Sequence, residues 1–130
     1  MAWYYEGKVI TELSDMPEGS IGFIYKITNK ETNQFYIGKK SLYSRRTLPP
    51  LKGYKRKRKV IKESKWVNYN SSNKEVQGWG EVYKQILRFC FTKKALTYYE
   101  LKEQFRHDCL EREKSLNDNL LSKFFKKDLE

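Results

Sequence analysis

The apolar–polar pattern is sharpest between residues 21 and 40, where it predicts a β-hairpin. Residues 22–28 read Gly-Phe-Ile-Tyr-Lys-Ile-Thr, rich in β-branched and aromatic side chains that suit a pleated surface. Residues 29–33, Asn-Lys-Glu-Thr-Asn, carry turn chemistry. Phe35-Tyr36-Ile37 resumes the strand and Gly38 ends it. Side chains alternate faces along a strand. Tyr25 therefore lies opposite Ile24, and Tyr36 opposite its neighbours Phe35 and Ile37, so the two tyrosines can share one face.

The remaining elements follow in order. Residues 1–20 form an approach segment in which Trp3, Tyr4, Tyr5, Val9 and Ile10 make a short strand or pack on the sheet, before a turn at Met16-Pro17-Glu18-Gly19. Residues 40–46 read as a short helix, ended by Pro49-Pro50. Trp66 and Tyr69 stand at helical spacing. Ser71-Ser72-Asn73 is a cap signal for a turn or two of helix that leaves at Gly78 and Gly80. The dense apolar run at 82–91 predicts a central strand. Thr92 caps a helix beginning at Lys93, with Leu96, Tyr99 (or Tyr98), Leu101, Phe105 and Cys109 as its stripe. A weaker capping box at 115–118 precedes a final amphipathic stretch with Leu120, Leu121, Phe124 and Phe125. The order β-β-α-(basic insert)-α-β-α-α predicts a small α/β sandwich, with helices flanking an antiparallel-led sheet.

Charge changes the picture more than length does. The 130 residues suffice for one domain. They hold 27 Lys and Arg against 16 Asp and Glu, a net charge of +11, which points to a polyanionic partner. Lys52, Lys55, Arg56, Lys57, Arg58 and Lys59 make a nearly continuous basic run. Such blocks repel themselves and are seldom packed without a polyanion. No apolar run is long enough to span a membrane, and the N-terminus lacks a signal-peptide core. Cys90 and Cys109 form no CxxC pair and read as small hydrophobes in a reduced, cytoplasmic setting. His107 with Cys109 offers too few ligands for zinc, so the histidine reads as a helix-surface residue. Trp66, Tyr69 and Trp79 stand beside the basic run, where aromatics either stack on bases or join the core; core is the reading for Trp79.

The hairpin resembles the two motifs of the GIY-YIG nuclease family. Ile24-Tyr25 stands for the end of the first motif, with Gly22 one place earlier than usual and Phe23 in the glycine's place. Tyr36-Ile37-Gly38 matches the second motif as written. The family's arginine, eight residues past the second glycine, falls on Arg46, with Arg45 beside it. The resemblance implies a three-stranded sheet flanked by helices. It implies a nuclease domain over 21–110 with its basic insert at 47–63, an N-terminal extension over 1–20 that packs on the core, and a C-terminal helical tail over 111–130. It implies a DNA endonuclease dependent on Mg2+ or Mn2+, with no small-molecule cofactor. Glu100 on the long helix corresponds to the metal-holding carboxylate, and Glu103 is the other candidate. Tyr25, Tyr36, Lys39 and Arg46 complete the expected catalytic group, Lys39 and Arg46 lowering a tyrosine's pKa so that it serves as a base. Pro50 occupies a place where many members carry His or Tyr, a role that Tyr43 or Tyr54 can take. Asn117 resembles the asparagine found after the metal helix. Lys40, Arg45 and the run 52–59 are the expected DNA contacts. Compact nucleases of this kind are typical of bacteriophages and mobile elements, which by analogy sets a bacterial cytoplasm. The alternative is a basic nucleic-acid-binding protein on a degenerate nuclease fold.

Overall fold

The computed structural model describes residues 1–129. Two short strands open the chain, β1 (Trp3–Tyr5) and β2 (Lys8–Ile10). The expected hairpin follows as β3 (Gly22–Asn29) and β4 (Phe35–Ser41). Then come β5 (Tyr43–Leu48), β6 (Arg58–Glu63), a one-turn helix α1 (Lys74–Gln77), β7 (Val82–Cys90) and the long helix α2 (Lys93–Arg106). Two-residue strands β8 (Asn119–Leu120) and β9 (Phe124–Phe125) lie near the end.

The main sheet has five strands in the order β2-β1-β7-β3-β4, not the three expected. The extra strands come from residues 1–20, which therefore enter the sheet rather than merely lie on it. β1 pairs parallel with β7 and antiparallel with β2. Trp3 explains the capture. Its side chain is fully buried, and its indole N–H donates to the Trp66 carbonyl at 2.8 Å. It meets Phe23 and Tyr25 edge-on at centroid distances of 4.9 and 5.5 Å. Full burial of side chains this large stabilises by roughly 2–3 kcal/mol each.

Alternation along β3 sorts the core into two layers. Phe23, Tyr25 and Ile27 join Trp3, Leu42 and Trp66 on one face. Ile24 joins Phe35, Ile37 and Leu96 of α2 on the other. β7 is central, as its apolar density predicts. Thr92 caps α2, its hydroxyl accepting from the Ala95 N–H at 3.0 Å, and Asn73 caps α1 in the same way. Helix α2 docks against β3 at Gly22, where an added Cβ would lie 2.9 Å from Leu96.

Four expectations about local structure are corrected. Residues 40–46 are not a helix. β5 nearly continues the edge strand β4 and pairs with β6, residue Arg46 facing Val60. Pro49 biases Leu48 toward extended backbone, so the prolines end a strand as readily as a helix. Trp66 and Tyr69 lie on irregular chain, not a helix, with Trp66 in the core. Helix α2 stops at Arg106 because Asp108 takes a left-handed backbone, and Phe105 of its expected stripe is exposed. The expected C-terminal helical tail is reduced, among the described residues, to a single 3-10 turn at Lys126–Leu129. Leu121 and Ser122 are both left-handed, which turns the chain into the small β8–β9 hairpin. A helix that short lacks enough hydrogen bonds to offset its nucleation cost.

Among the described residues the outer edge of β4 meets only a single parallel bridge, Phe35 to Ser115, yet its backbone groups are met. The Asn117 amide accepts from the Ile37 N–H at 3.0 Å and donates to the Ile37 carbonyl at 2.8 Å. Gln104 of α2 donates to the same carbonyl at 3.2 Å. Phe35 N–H donates to the Lys114 carbonyl, and Leu116 N–H to the Phe35 carbonyl. The segment after α2 thus seals the sheet edge that would otherwise invite pairing.

One core residue works against the fold. Lys84 on β7 is 1% exposed, its ammonium 4.4 Å above the Trp3 ring and 3.5 Å from the Val67 carbonyl. Burial lowers its pKa from 10.5 to about 8. That costs about 3 kcal/mol at neutral pH, which one or two of the buried aromatics offset. Between about 8 and 10.5 the unfolded chain binds more protons than the folded one, so stability rises with pH across that window. Lys84→Met is expected to be more stable than the parent at pH 7, by about 1–3 kcal/mol, with the gap closing as the pH approaches 10.5. Denaturant melts at pH 7 and pH 10 check this; a gap that is the same at both values would contradict it.

Candidate active site

The two motif tyrosines do share one face, as alternation predicts, but they sit in different surroundings. Tyr25 pairs directly across the hairpin with Gly38. Its ring occupies the space a side chain would take there, since a Cβ on Gly38 would lie 2.5 Å from the phenol oxygen. That overlap is the physical reason for glycine at the end of the second motif. Tyr25 is 1% exposed, and its hydroxyl reaches Ser71 and Tyr69. Tyr36 lies one register step away, with ring centroids 6.3 Å apart, and its hydroxyl opens to the surface 3.5 Å from the Ser72 hydroxyl.

Tyr36 forms one wall of a polar cleft beside the β4 edge. Glu100 and Gln104 of α2 form another, and Asn73, Asn117, Asp118 and Asn119 complete the rim. The Asn117 clasp on Ile37 holds the far wall in place. Glu100 is therefore the glutamate that α2 brings to Tyr36. Glu103 is turned elsewhere, its buried carboxylate 3.7 Å from the exposed Arg106 and 3.6 Å from His107.

Burial dominates the electrostatics. It pushes the Glu100 carboxyl above its ordinary value, while the neighbouring Lys39 charge and a hydrogen bond from the Lys39 backbone pull it back. The Lys39 ammonium is held by a 3.0 Å hydrogen bond to the Thr97 hydroxyl, one turn before Glu100. The expectation that cations lower a motif tyrosine does not hold. Burial raises Tyr25 far above a phenol's ordinary value. It raises Tyr36 too; Glu100 and Asp118 add to that rise, and Ser72 opposes it. Both phenols therefore keep their protons at neutral pH.

Other expected site residues are dispersed. Arg46 and Arg45 lie on exposed β5, Tyr43 beside them, and none of the three lines the cleft. Tyr54 is 71% exposed in the loop after β5. Lys40 rests over the Tyr69 ring at 4.3 Å, and burial lowers its pKa. Lys52, Lys55, Arg56 and Lys57 are exposed in the β5–β6 loop, and Arg58 and Lys59 begin β6. Sequence reasoning missed Asp118 as a second carboxylate on the cleft. Its only local signal was its place after Asn117.

The donors at the cleft are oxygens: two carboxylates with three asparagine amides nearby. Such a set fits a hard divalent cation that keeps most of its water. No group of three or more His, Cys, Asp and Glu side chains that could hold a metal ion occurs among the described residues. No helix among them is long and apolar enough to cross a membrane.

A family model described as "Putative endonuclease segE, GIY-YIG domain" matches residues 3–127. No curated protein matches the chain, and no solved structure does. The match includes β1 at one end and the β8–β9 hairpin at the other, so the elements beyond the motif hairpin are part of the same unit. The chain belongs to the GIY-YIG endonuclease family.

Proposed function

We propose that the protein is a divalent-metal-dependent DNA endonuclease whose phosphodiester hydrolysis takes place at the Tyr36–Glu100 cleft. The observation that carries this reading is the meeting of Tyr36 and Glu100 in one polar cleft, in a chain of a nuclease family. Hydrolysis of a phosphodiester needs an oriented water, positive charge near the phosphate and help for the leaving oxygen. Bound Mg2+ or Mn2+ supplies Lewis-acid charge to the phosphate and the leaving oxygen. Glu100 is the carboxylate that would hold it, with Asp118 near enough to add charge or bind a metal water. Tyr36, protonated, donates a hydrogen bond to the phosphate or the attacking water. Tyr25 is a positioning residue, fixing the β3–β4 pair beneath Tyr36 through its packing on Gly38. Lys39 keeps Glu100 ionised and presents charge on the approach to the cleft. The β5–β6 arm, whose tip carries Lys52, Lys55, Arg56 and Lys57, holds the DNA.

Nicking of supercoiled plasmid tests the reading. Activity is expected with Mg2+ or Mn2+ and not with EDTA. Glu100→Gln should reduce it below detection with DNA binding intact, and Tyr36→Phe should lower it by about 10²-fold or more, the usual loss for one positioned donor. DNA binding without nicking under any divalent metal would favour the binding-protein alternative instead.

The pH profile gives a second check. The metal-holding form of Glu100 is the ionised one, so activity falls as the pH drops through its raised pKa. Lys39→Met removes the charge that opposes that rise. The acid limb of the rate profile is therefore expected to move to higher pH in the variant; a limb that stays in place would contradict the role given to Lys39.

A further inference from the structure

The geometry points to the β5–β6 arm as a grip for duplex DNA that works through one of its two faces, the one carrying Arg46, Arg58 and Lys62. The proposal rests on the nuclease reading only in taking DNA as the partner.

The arm is hydrogen-bonded to the main sheet at its root. Leu42 is buried there, its N–H donating to the Ile21 carbonyl at 2.9 Å and its carbonyl accepting from Ser64 at 2.8 Å. The Ser64 hydroxyl closes the same point on the Ser41 carbonyl at 2.6 Å. Beyond it every residue of β6 and all of β5 except Leu48 are exposed. Among the described residues no third strand pairs with the ribbon. Two six-residue strands at about 3.3 Å per residue reach about 20 Å, with the basic loop 49–57 at the far end.

Register divides the ribbon's charges. Residues paired across an antiparallel ladder point to the same side. The pairs Ser44–Lys62, Arg46–Val60 and Leu48–Arg58 give a face with three cations and no carboxylate. The pairs Tyr43–Glu63, Arg45–Ile61 and Thr47–Lys59 give a face with two cations and one carboxylate.

The two faces also look in different directions. Ser41, Tyr43, Arg45 and Ile61 line one groove together with Phe91 and the start of α2. Leu42 packs on the opposite side, in the layer of Phe23 and Tyr25. Alternation therefore runs unbroken from β4 into β5, and Arg46 faces the way that Tyr36 and Lys40 face. A polyanion lying on this side meets three cations and no carboxylate, whereas one on the Arg45 side meets two cations and Glu63.

Side-chain types select the form of DNA. Single-strand sites interleave cations with aromatic rings for base stacking. The Arg46 face has none among Ser44, Arg46, Leu48, Arg58, Val60 and Lys62. Cations on a slender two-stranded ribbon suit phosphate contacts along a duplex, whose major groove admits such a ribbon.

Charge-matched pairs of substitutions test the proposal in the full chain. Binding to a short DNA duplex is measured by fluorescence anisotropy across a salt series in EDTA, so that cleavage does not enter. Arg46→Ser with Lys62→Ser is expected to flatten the log–log salt slope by about two units. Arg45→Ser with Lys59→Ser is expected to change it by less than about half a unit. The exchange Arg46→Lys with Lys62→Arg keeps both charges and should keep the parent slope, which separates lost charge from a disturbed ribbon. Equal flattening by both serine pairs, flattening by the Arg45 pair alone, no flattening by either, or tighter binding of a single strand of the same length would each overturn the proposal. Loss of nicking in Glu100→Gln has no bearing on this result, and a duplex grip found without nuclease activity would leave the arm standing while the nuclease reading fell.

Discussion

The candidate site depends on how the open edge of β4 is closed. Ile37 stands at the middle of the second motif with its outward N–H and carbonyl facing away from the sheet. Left unmet in the interior they would cost about 1–3 kcal/mol each. One side chain, Asn117, meets both, and Gln104 adds a bond from α2. The closure does more than satisfy the backbone. It draws the segment after α2 against the strand, and that brings Asp118 and Asn119 up beside Tyr36 and Glu100. Removing the clasp would release one wall of the cleft along with the sheet edge.

Within the cleft, desolvation outweighs nearby charge at each group whose pKa moves. Tyr36 has Glu100 and Asp118 as neighbours, both of which disfavour a phenolate, and burial adds to them. A phenol in that setting keeps its proton and is useful as a donor. Glu100 meets the same burial but has Lys39 beside it, so its ionised form is supported. The two groups are thereby driven toward complementary roles, one proton-bearing and one anionic, which suits phosphodiester chemistry at neutral pH.

Much of this was legible in the sequence. The hairpin, the central β7, the caps at Thr92 and Asn73, and the shared face of Tyr25 and Tyr36 follow from local pattern, because each is decided by neighbours in the chain. Of the two candidate glutamates, α2 turns Glu100 and not Glu103 toward Tyr36. The misses were decided by distant partners. Trp3 becomes a strand because β7 and Trp66 receive it. Arg46 lies on a strand because β6 lies opposite, and no helical period in 40–46 competes with that pairing. The C-terminal stretch looks amphipathic in isolation, yet left-handed residues at Leu121 and Ser122 fold it into a hairpin. Asp118 had no motif of its own; only the Asn117 clasp brings it to the cleft.

The central claim is that Glu100 and the clasped segment together make the metal-binding wall of the site. Paramagnetic broadening of backbone amide resonances by substoichiometric Mn2+ tests this without reference to activity. The account predicts that Lys39, Glu100, Asn117 and Asp118 broaden first and that Glu100→Gln abolishes the effect. Broadening centred on Glu111 and Glu113, or a pattern at the cleft that survives Glu100→Gln, would contradict it.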